Sequence, residues 1–246
     1  MGFSHRPEAG VRDNVAIRLS AVTAPKPLRS QEMDAQPLLI LGSGTFAVET
    51  LDIAEAAGGF APLGFVNSVE RPAPGAMHAD LPVFWVDDVP FAPDDCALVA
   101  GIVSTQRRAF VEQMAKRGYR FVTVVHPSAV ISRRAQVLAG SVINAGAIIA
   151  QNTVIGEHVI VNRGALIGHD IRLASFCTVG PGANIAGGVT VGEGAYIGVG
   201  AVVRDHVDIG AGAIVGAGAV VVKSVPPGVL VLGMPAQIVK TNVKGL

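Results

Sequence analysis

The sequence predicts two architectures in one chain: a small Rossmann-like parallel α/β sheet, followed by an all-β domain that forms a parallel β-helix. Two observations lead to this prediction. Between residues 37 and 125, strand-like runs alternate with stretches of helical spacing, which is the pattern of a parallel sheet covered by helices. From Ile131 to Val221, every sixth residue is Ile, Val or Leu, and a short fixed period is typical of a solenoid of stacked coils.

The first domain begins with a buried strand, a glycine turn and a helix. Residues 38–41 are apolar, the turn GSGTFA follows, and residues 46–57 have helical spacing before a glycine pair ends the helix. A second strand is predicted over 63–66, further strands in LPVFWVDDV and CALVAGI, a second helix over 106–117, and a last strand in RFVTVV. The turn matches only part of a GxGxxG motif, so nucleotide binding and a purely structural turn both stay open.

The repeat that follows has one large and one small inward residue in each hexad. The aliphatic residue recurs sixteen times, and the residue four positions later is mostly small. Such hexads predict short strands joined by tight corners, and the glycines that often follow the aliphatic residue suit those corners. Three hexads close one triangular coil, so the repeat predicts about five coils that bury their aliphatic columns against one another. A β-sandwich would alternate with a period of two instead.

Composition excludes several classes of function. The formal net charge is zero, which argues against nucleic acid or an anionic membrane as a general partner. No apolar run of about 18 residues is free of Gly, Pro and charge, so no membrane span is predicted. Cys96 and Cys177 form no CxxC pair, which fits a reducing, cytoplasmic location. Residues 1–36 lack the apolar run of a signal peptide, and we expect them to lie outside the fold. They are either a flexible leader or a result of the choice of start site, since Met33 lies just ahead of the first strand-like run.

One stretch of the repeat, VNRGALIGHDIRLASF at residues 161–176, concentrates polar chemistry. It contains Asn162, His169 and Asp170. A histidine with a pKa near 6.5 suits a general base at neutral pH, and a neighbouring carboxylate can orient the imidazole and stabilise its cation. The alternative is that His169 and Asp170 are solvated corner residues of a coil.

Other polar residues of the repeat are weaker candidates for a catalytic role. We expect His158 and His206 to be corner residues without a catalytic role. Arg163 fits either a surface corner or a contact with substrate, and the sequence does not choose between them. Cys177 points inward by its position in the repeat, so it is rejected as a nucleophile.

A Rossmann-like domain followed by HPSAVIS and a hexapeptide β-helix resembles the bacterial nucleotide-sugar and sialic acid acetyltransferases. These hexapeptide-repeat acyltransferases have coils that form a left-handed β-helix, and the repeat resembles theirs over roughly residues 126–240. The resemblance implies an acyltransferase that moves the acetyl group of acetyl-CoA, its co-substrate, directly to an amino or hydroxyl group of a sugar or nucleotide sugar. It also implies a sugar- or nucleotide-sugar-binding domain over 37–125, a β-helix acyltransferase domain over 126–225 and a CoA-side segment over 226–246.

The resemblance assigns roles to individual residues. In that family a catalytic histidine lies seven residues after an asparagine and beside a carboxylate, which here are His169, Asn162 and Asp170. The first glycine turn, the end of the second strand and a later glycine would hold the substrate's nucleotide, here Gly44, Thr45, Phe46, Asn67, Ser68 and Gly101. An acidic pair of the family is replaced by Asn67 and Ser68, so a UDP sugar, another nucleotide sugar, a free sugar and no ligand all stay open.

The same resemblance places acetyl-CoA along the later coils. Thr178 stands where the family often has a second histidine near the CoA carbonyl, and its hydroxyl could donate a hydrogen bond there. Gly187 and Val199 would lie beside the pantetheine arm, with Ala217 further along, because an extended arm can follow a groove of small residues.

A second class of function is a non-catalytic or metal-dependent, carbonic anhydrase-like β-helix protein. Such a metal site needs three histidines that converge at a subunit interface. His158 and His169 are eleven residues apart rather than a multiple of eighteen, so they fall on different faces, and no metal is expected. We predict a homotrimer, because threefold packing buries one face of each prism and the outward residues are mostly Ala, Val, Asn and Thr. N- and O-acetylation both stay open.

Overall fold

The computed structural model describes residues 35–246. The predicted leader, residues 1–36, lies outside these residues except for its last two positions. No helix within the described range is long and apolar enough to cross a membrane.

The first domain is a six-stranded sheet with two helices. The strands are β1 (Gln36–Leu41), β2 (Phe60–Asn67), β3 (Met77–His78), β4 (Leu81–Trp85), β5 (Ala97–Ala100) and β6 (Arg120–Phe121). Their order in the sheet is β3-β4-β2-β1-β5-β6. Helix α1 (Thr45–Ala57) follows β1, and helix α2 (Arg108–Lys116) follows a 3₁₀ turn at Thr105–Arg107. Leu38 to Leu41 are fully buried at the centre of this sheet.

Two expectations for this domain are corrected. The sheet is mixed rather than purely parallel, because β3 and β4 form an antiparallel hairpin. Ala79 and Asp80 form the turn between them with φ angles of 44° and 61°. An Ala-Asp pair is not typical of such a left-handed turn, so the sequence did not predict it. The segment RFVTVV is not one strand. Its first half is β6 of the first sheet, and its second half is the first strand of the solenoid.

The second architecture is a β-helix with three parallel faces, as predicted. Face 1 consists of β7 (Val124–Val125), β10 (Val142–Ile143), β13 (Ile160–Val161), β16 (Thr178–Val179), β19 (Tyr196–Ile197), β22 (Ile214–Val215), β24 (Val229–Leu232) and the antiparallel β25 (Gln237–Thr241). Face 2 consists of β8 (Val130–Ile131), β11 (Ile148–Ile149), β14 (Leu166–Ile167), β17 (Asn184–Ile185), β20 (Val202–Val203) and β23 (Val220–Val221). Face 3 consists of β9 (Gln136–Val137), β12 (Val154–Ile155), β15 (Arg172–Leu173), β18 (Thr190–Val191) and β21 (Asp208–Ile209).

The six-residue period is the cause of this packing. In each two-residue strand the second residue points inward, and from Ile143 to Val221 these residues are at most 2% exposed. The small residues four positions later are buried beside them, including Ala147, Ala165 and Ala183. Each coil therefore covers the aliphatic column of the next, which makes the solenoid's core continuous.

The outward sides of the three faces differ. The first domain covers face 1, where Val124, Val142 and Ile160 are buried in one cluster with residues of β1 and α1. Face 3 carries mostly polar outward residues. Face 2 presents a row of side chains at intervals of eighteen residues that is apolar except for Asn184. Four of its apolar members are more than a third exposed: Val130, Ile148, Leu166 and Val202.

Candidate active site

His169 and Asp170 lie at the corner between faces 2 and 3, directly after β14. His169 Nδ1 and Asp170 Oδ2 are 2.8 Å apart, which assigns the ring proton to Nδ1 and leaves Nε2 as an acceptor. Asn152 Nδ2 donates to Asp170 Oδ1 at 3.1 Å. The hydrogen bonds from His169 and then Asn152 lower the pKa of Asp170. Both side chains of the pair are more than half exposed, so a reactant can approach the ring.

A glycine pair on the next coil leaves room for this imidazole. A Cβ atom on Gly187 would lie 2.6 Å from His169 Cε1 and 2.7 Å from Nε2. On the adjacent Gly188, a Cβ atom would collide with the ring of His206, which approaches from the coil on the other side. The predicted corner residue His206 therefore lies at the same edge of the solenoid as His169.

Asn162 lies at a different corner, between faces 1 and 2. Its side chain is almost fully buried, and its Oδ1 accepts from the backbone N–H of Arg163 at 2.9 Å and from Asn144 Nδ2 at 3.3 Å. Strand β14 separates this corner from His169. The structure therefore does not bring the predicted catalytic residues Asn162 and His169 together within one chain.

The Asn162 corner instead contacts helix α1 of the first domain. Arg163 Nη1 donates to both carboxylate oxygens of Glu49, at 3.0 and 3.3 Å, and Asn144 donates to the same carboxylate. Arg163, whose role the sequence left open, therefore pairs with a residue of the other domain. Sequence reasoning missed Glu49, because its partners lie about a hundred residues away along the chain.

The first domain contains a cavity of about 580 Å³ at the carboxyl ends of β1, β2 and β5. All six residues predicted to hold the substrate line it: Gly44, Thr45, Phe46, Asn67, Ser68 and Gly101. Ligands of open α/β sheets bind in this type of crevice. Glu49 and residues 102–104 complete much of the wall.

The start of α1 makes this cavity suitable for an anion. Gly44 is the N-cap residue, no side chain caps the helix, and its first turn has no acidic residue. The free N–H groups and the positive end of the helix dipole therefore face the cavity, where they can hold a phosphate group. Gly101 allows the close approach of β5 to this helix, because a Cβ atom there would lie 2.7 Å from Ala47 Cα.

The residues predicted to bind acetyl-CoA fall into three places. Gly187 lies against His169. Val199 and Ala217 are exposed at the other edge of face 2, the corner between faces 1 and 2. They lie two and three coils beyond Arg163. Face 2 thus has predicted CoA residues along both of its edges.

Thr178 is a correction. It is fully buried on face 1, beneath the first domain. Its hydroxyl donates to the Val103 carbonyl at 3.0 Å and accepts from Arg107 Nη1 at 2.9 Å. Because its proton is already donated, Thr178 is not available to a thioester carbonyl. Its position, between the two domains, could not be read from the repeat.

Of two other reactive residues, Cys177 is buried and His158 is half-buried. Cys177 is fully buried, and burial raises the pKa of its thiol to about 12, so it is not a nucleophile at neutral pH. The His158 ring stacks on Phe176 with centroids 5.0 Å apart, and Phe121 contacts it edge-on. Burial, and then the charge of Arg107, lower the pKa of His158 to about 4. Within residues 35–246, no three His, Cys, Asp or Glu side chains cluster as metal ligands.

Comparisons with known proteins agree with this fold. The family model described as bacterial transferase hexapeptide (six repeats) matches residues 188–223. PerB, the perosamine N-acetyltransferase from Caulobacter crescentus, solved in complex with CoA and GDP-perosamine, is 35% identical with a TM-score of 0.75. The match covers 83% of this chain and 97% of that chain. Curated protein sequences give no significant match.

Two further solved structures are similar. The acetyltransferase domain of PglB from Neisseria gonorrhoeae, in complex with acetyl coenzyme A, is 30% identical with a TM-score of 0.76, over 83% of this chain and 99% of that chain. WeeI from Acinetobacter baumannii is 28% identical with a TM-score of 0.74, over 83% of this chain and all of that one. The chain therefore belongs to the hexapeptide-repeat acetyltransferases of the nucleotide-sugar and sialic acid family, and it is an acyltransferase.

Proposed function

We propose that the protein transfers the acetyl group of acetyl-CoA directly to an amino or hydroxyl group of a nucleotide sugar, with His169 as general base. The observation that carries this proposal is the exposed His169–Asp170 pair. Its His169 Nδ1 lies 2.8 Å from Asp170 Oδ2, which leaves Nε2 to accept a proton. The similar enzyme from Caulobacter crescentus, bound to CoA and GDP-perosamine, supports the choice of reactants.

The reaction needs one proton acceptor and no covalent enzyme intermediate. The acceptor nitrogen or oxygen attacks the thioester carbonyl carbon while Nε2 of His169 takes its proton. Asp170 stabilises the imidazolium that forms. When the tetrahedral intermediate collapses, the C–S bond breaks, and the imidazolium returns the proton to the CoA thiolate. His169 is then neutral again, and the products are the acetylated sugar and CoA.

The first-domain cavity is proposed as the site for the nucleotide part of the acceptor. Its volume suits a small ligand, and the uncapped start of α1 suits the diphosphate. Asn67 lies at the far side, where its Oδ1 accepts from the Val69 N–H at 3.1 Å. The amide N–H groups of Asn67 and the hydroxyl of Ser68 are then free for the ribose or base.

Two surfaces support a homotrimer in which neighbouring chains share each active site. The cavity lies over face 1, whereas His169 lies at the opposite corner of the prism, so the solenoid separates them within one chain. Face 2 carries the exposed apolar row. If three copies turn face 2 toward a common axis, the Asn162 corner of one copy meets the His169 corner of the next. The cavity, the Asn162 corner and His169 then line one cleft.

The test is acetyl transfer by His169→Asn on a panel of nucleotide sugars. Loss of the general base should lower kcat by about 10²- to 10⁴-fold, while the affinity for acetyl-CoA and the Tm stay unchanged because the side chain is exposed. His126→Asn is the matched control, since among residues 35–246 the His126 ring bonds only to Ser128. Equal kcat values for wild type and His169→Asn would contradict the assignment.

A further inference from the structure

Arg107, the last residue of the 3₁₀ turn, carries a buried guanidinium between the two domains. Its side chain is only 2% exposed. It donates to five uncharged oxygens: His158 O at 2.6 and 3.2 Å, Cys177 O at 2.9 Å, Thr178 Oγ1 at 2.9 Å, Ser104 O at 2.9 Å and Val103 O at 3.5 Å. Burial lowers the pKa of Arg107 to about 10, so it is a cation at neutral pH.

These acceptors belong to two parts of the molecule. Three lie on the corners and strands of the solenoid, and two are carbonyls of the loop over residues 101–104, which lines the first-domain cavity. The Thr178 hydroxyl adds a direct bond to the Val103 carbonyl at 3.0 Å. One wall of the cavity is therefore hydrogen-bonded to the solenoid through Arg107 and Thr178.

A buried cation without a carboxylate partner is costly, and an apolar side chain would join the domains at lower cost. Only the planar arginine fork can satisfy so many oxygens in fixed directions. Another contact between the two domains nearby is of a different kind. Arg108 forms an exposed ion pair with Glu193, and such pairs contribute little rigidity or stability.

We propose that Arg107 is a positioning residue that fixes the cavity wall, residues 101–104, on the solenoid and thereby sets the affinity for the nucleotide sugar. This inference rests on the proposed function of the cavity. Arg107 is buried away from the cavity space and does not touch substrate. It acts through the carbonyls of Val103 and Ser104, whose loop forms one side of the ligand site.

The first test is the kinetics of Arg107→Lys and Thr178→Val. Lysine keeps the charge but has three donors from one atom, and valine keeps the shape of threonine without its hydroxyl. We expect the KM for the nucleotide sugar to rise about tenfold in each variant, as for lost hydrogen bonds to a charged group. The KM for acetyl-CoA should not change. In the double variant, the KM for the nucleotide sugar should rise by less than the product of the two single effects, because both changes break the same link between the loop and the solenoid. Arg108→Gln is the matched control and should leave both KM values unchanged.

The second test needs no substrate. Amide hydrogen exchange of residues 101–104 should become faster in Arg107→Lys and Thr178→Val, whereas exchange at the His169 corner stays at the wild-type rate. Unchanged exchange in this loop would overturn the inference even if the enzyme works as proposed. Equal increases in both KM values, together with a lower Tm, would show a folding role instead and overturn it as well. A wild-type protein that binds acetyl-CoA but neither GDP nor UDP would refute the proposed cavity, and with it this inference.

Discussion

Substitution of Gly187 by alanine tests whether the position of the His169 ring controls the reaction. The new Cβ atom would lie 2.6 Å from Cε1, 2.7 Å from Nε2 and 3.0 Å from Nδ1 of His169. Carbon contacts have their optimum near 3.5 to 4.0 Å, so the ring must retreat by about 1 Å. The ring is more than half exposed and can move into solvent. We therefore expect the free energy of unfolding to change by less than about 0.5 kcal/mol.

The displacement of the His169 ring should lower kcat. A misplacement of about 1 Å can cost about 10²-fold in rate, or about 2.7 kcal/mol of transition-state stabilisation. The assay is steady-state acetyl transfer with thiol detection, combined with thermal unfolding. The control is Gly187→Ala in the His169→Asn background, where no further loss of kcat is expected because the ring is already absent. An unchanged kcat, or the same 10²-fold loss without His169, would refute the reasoning.

Three further predictions address the stacked rings of His158 and Phe176, the oligomer and the first-domain cavity. His158 is neutral when folded, with a pKa of about 4, whereas the unfolded chain takes up a proton below about 6.5. After a discount for solvent screening of the half-buried ring, the protein should lose at most about 2 kcal/mol of stability as the pH falls from 6.5 to 4. His158→Phe should remove this loss in thermal unfolding measured across that range, and a pH dependence equal to wild type would contradict it. Leu166→Asp on face 2 should yield monomers in sedimentation, whereas Thr190→Asp on face 3 should not; trimers in both would argue against face 2 as the interface. Gly44→Asp has open space around its Cβ and should raise the Tm slightly as an N-cap, yet weaken GDP or UDP binding by about tenfold or more because its carboxylate occupies the anion site. Unchanged nucleotide affinity would place the diphosphate elsewhere.

The solenoid could be predicted from the sequence because its forces are local and periodic. One aliphatic residue in every hexad must point inward, so Ile143 and its successors identify the strands, the corners and the faces. The glycine turn after β1 identified the cavity for a similar reason, since Gly44 to Phe46 are contiguous and start a helix. Such features can be predicted from neighbouring residues or from a fixed period alone.

The contacts between the domains could not be predicted in this way. Arg107 meets Thr178 across 71 positions, and Glu49 meets Arg163 across 114, with no period that links them. Thr178 has an outward position in the repeat, and only the docked first domain buries it. Asn162 and His169 share the sequence spacing of a catalytic pair, but the strand between them places them on two corners of the prism.

The most direct test is complementation between two impaired variants, assayed at a nucleotide-sugar concentration well below the wild-type KM. His169→Asn keeps an intact cavity, and Gly44→Asp keeps an intact general base. Mixed trimers, formed by refolding the two together in equal amounts, should place an intact His169 beside an intact neighbouring cavity at about a quarter of the sites, if each site uses two chains. If neighbouring chains share each site, the mixture should recover about a quarter of wild-type acetyl transfer. Activity no greater than the average of the two separate variants would contradict it.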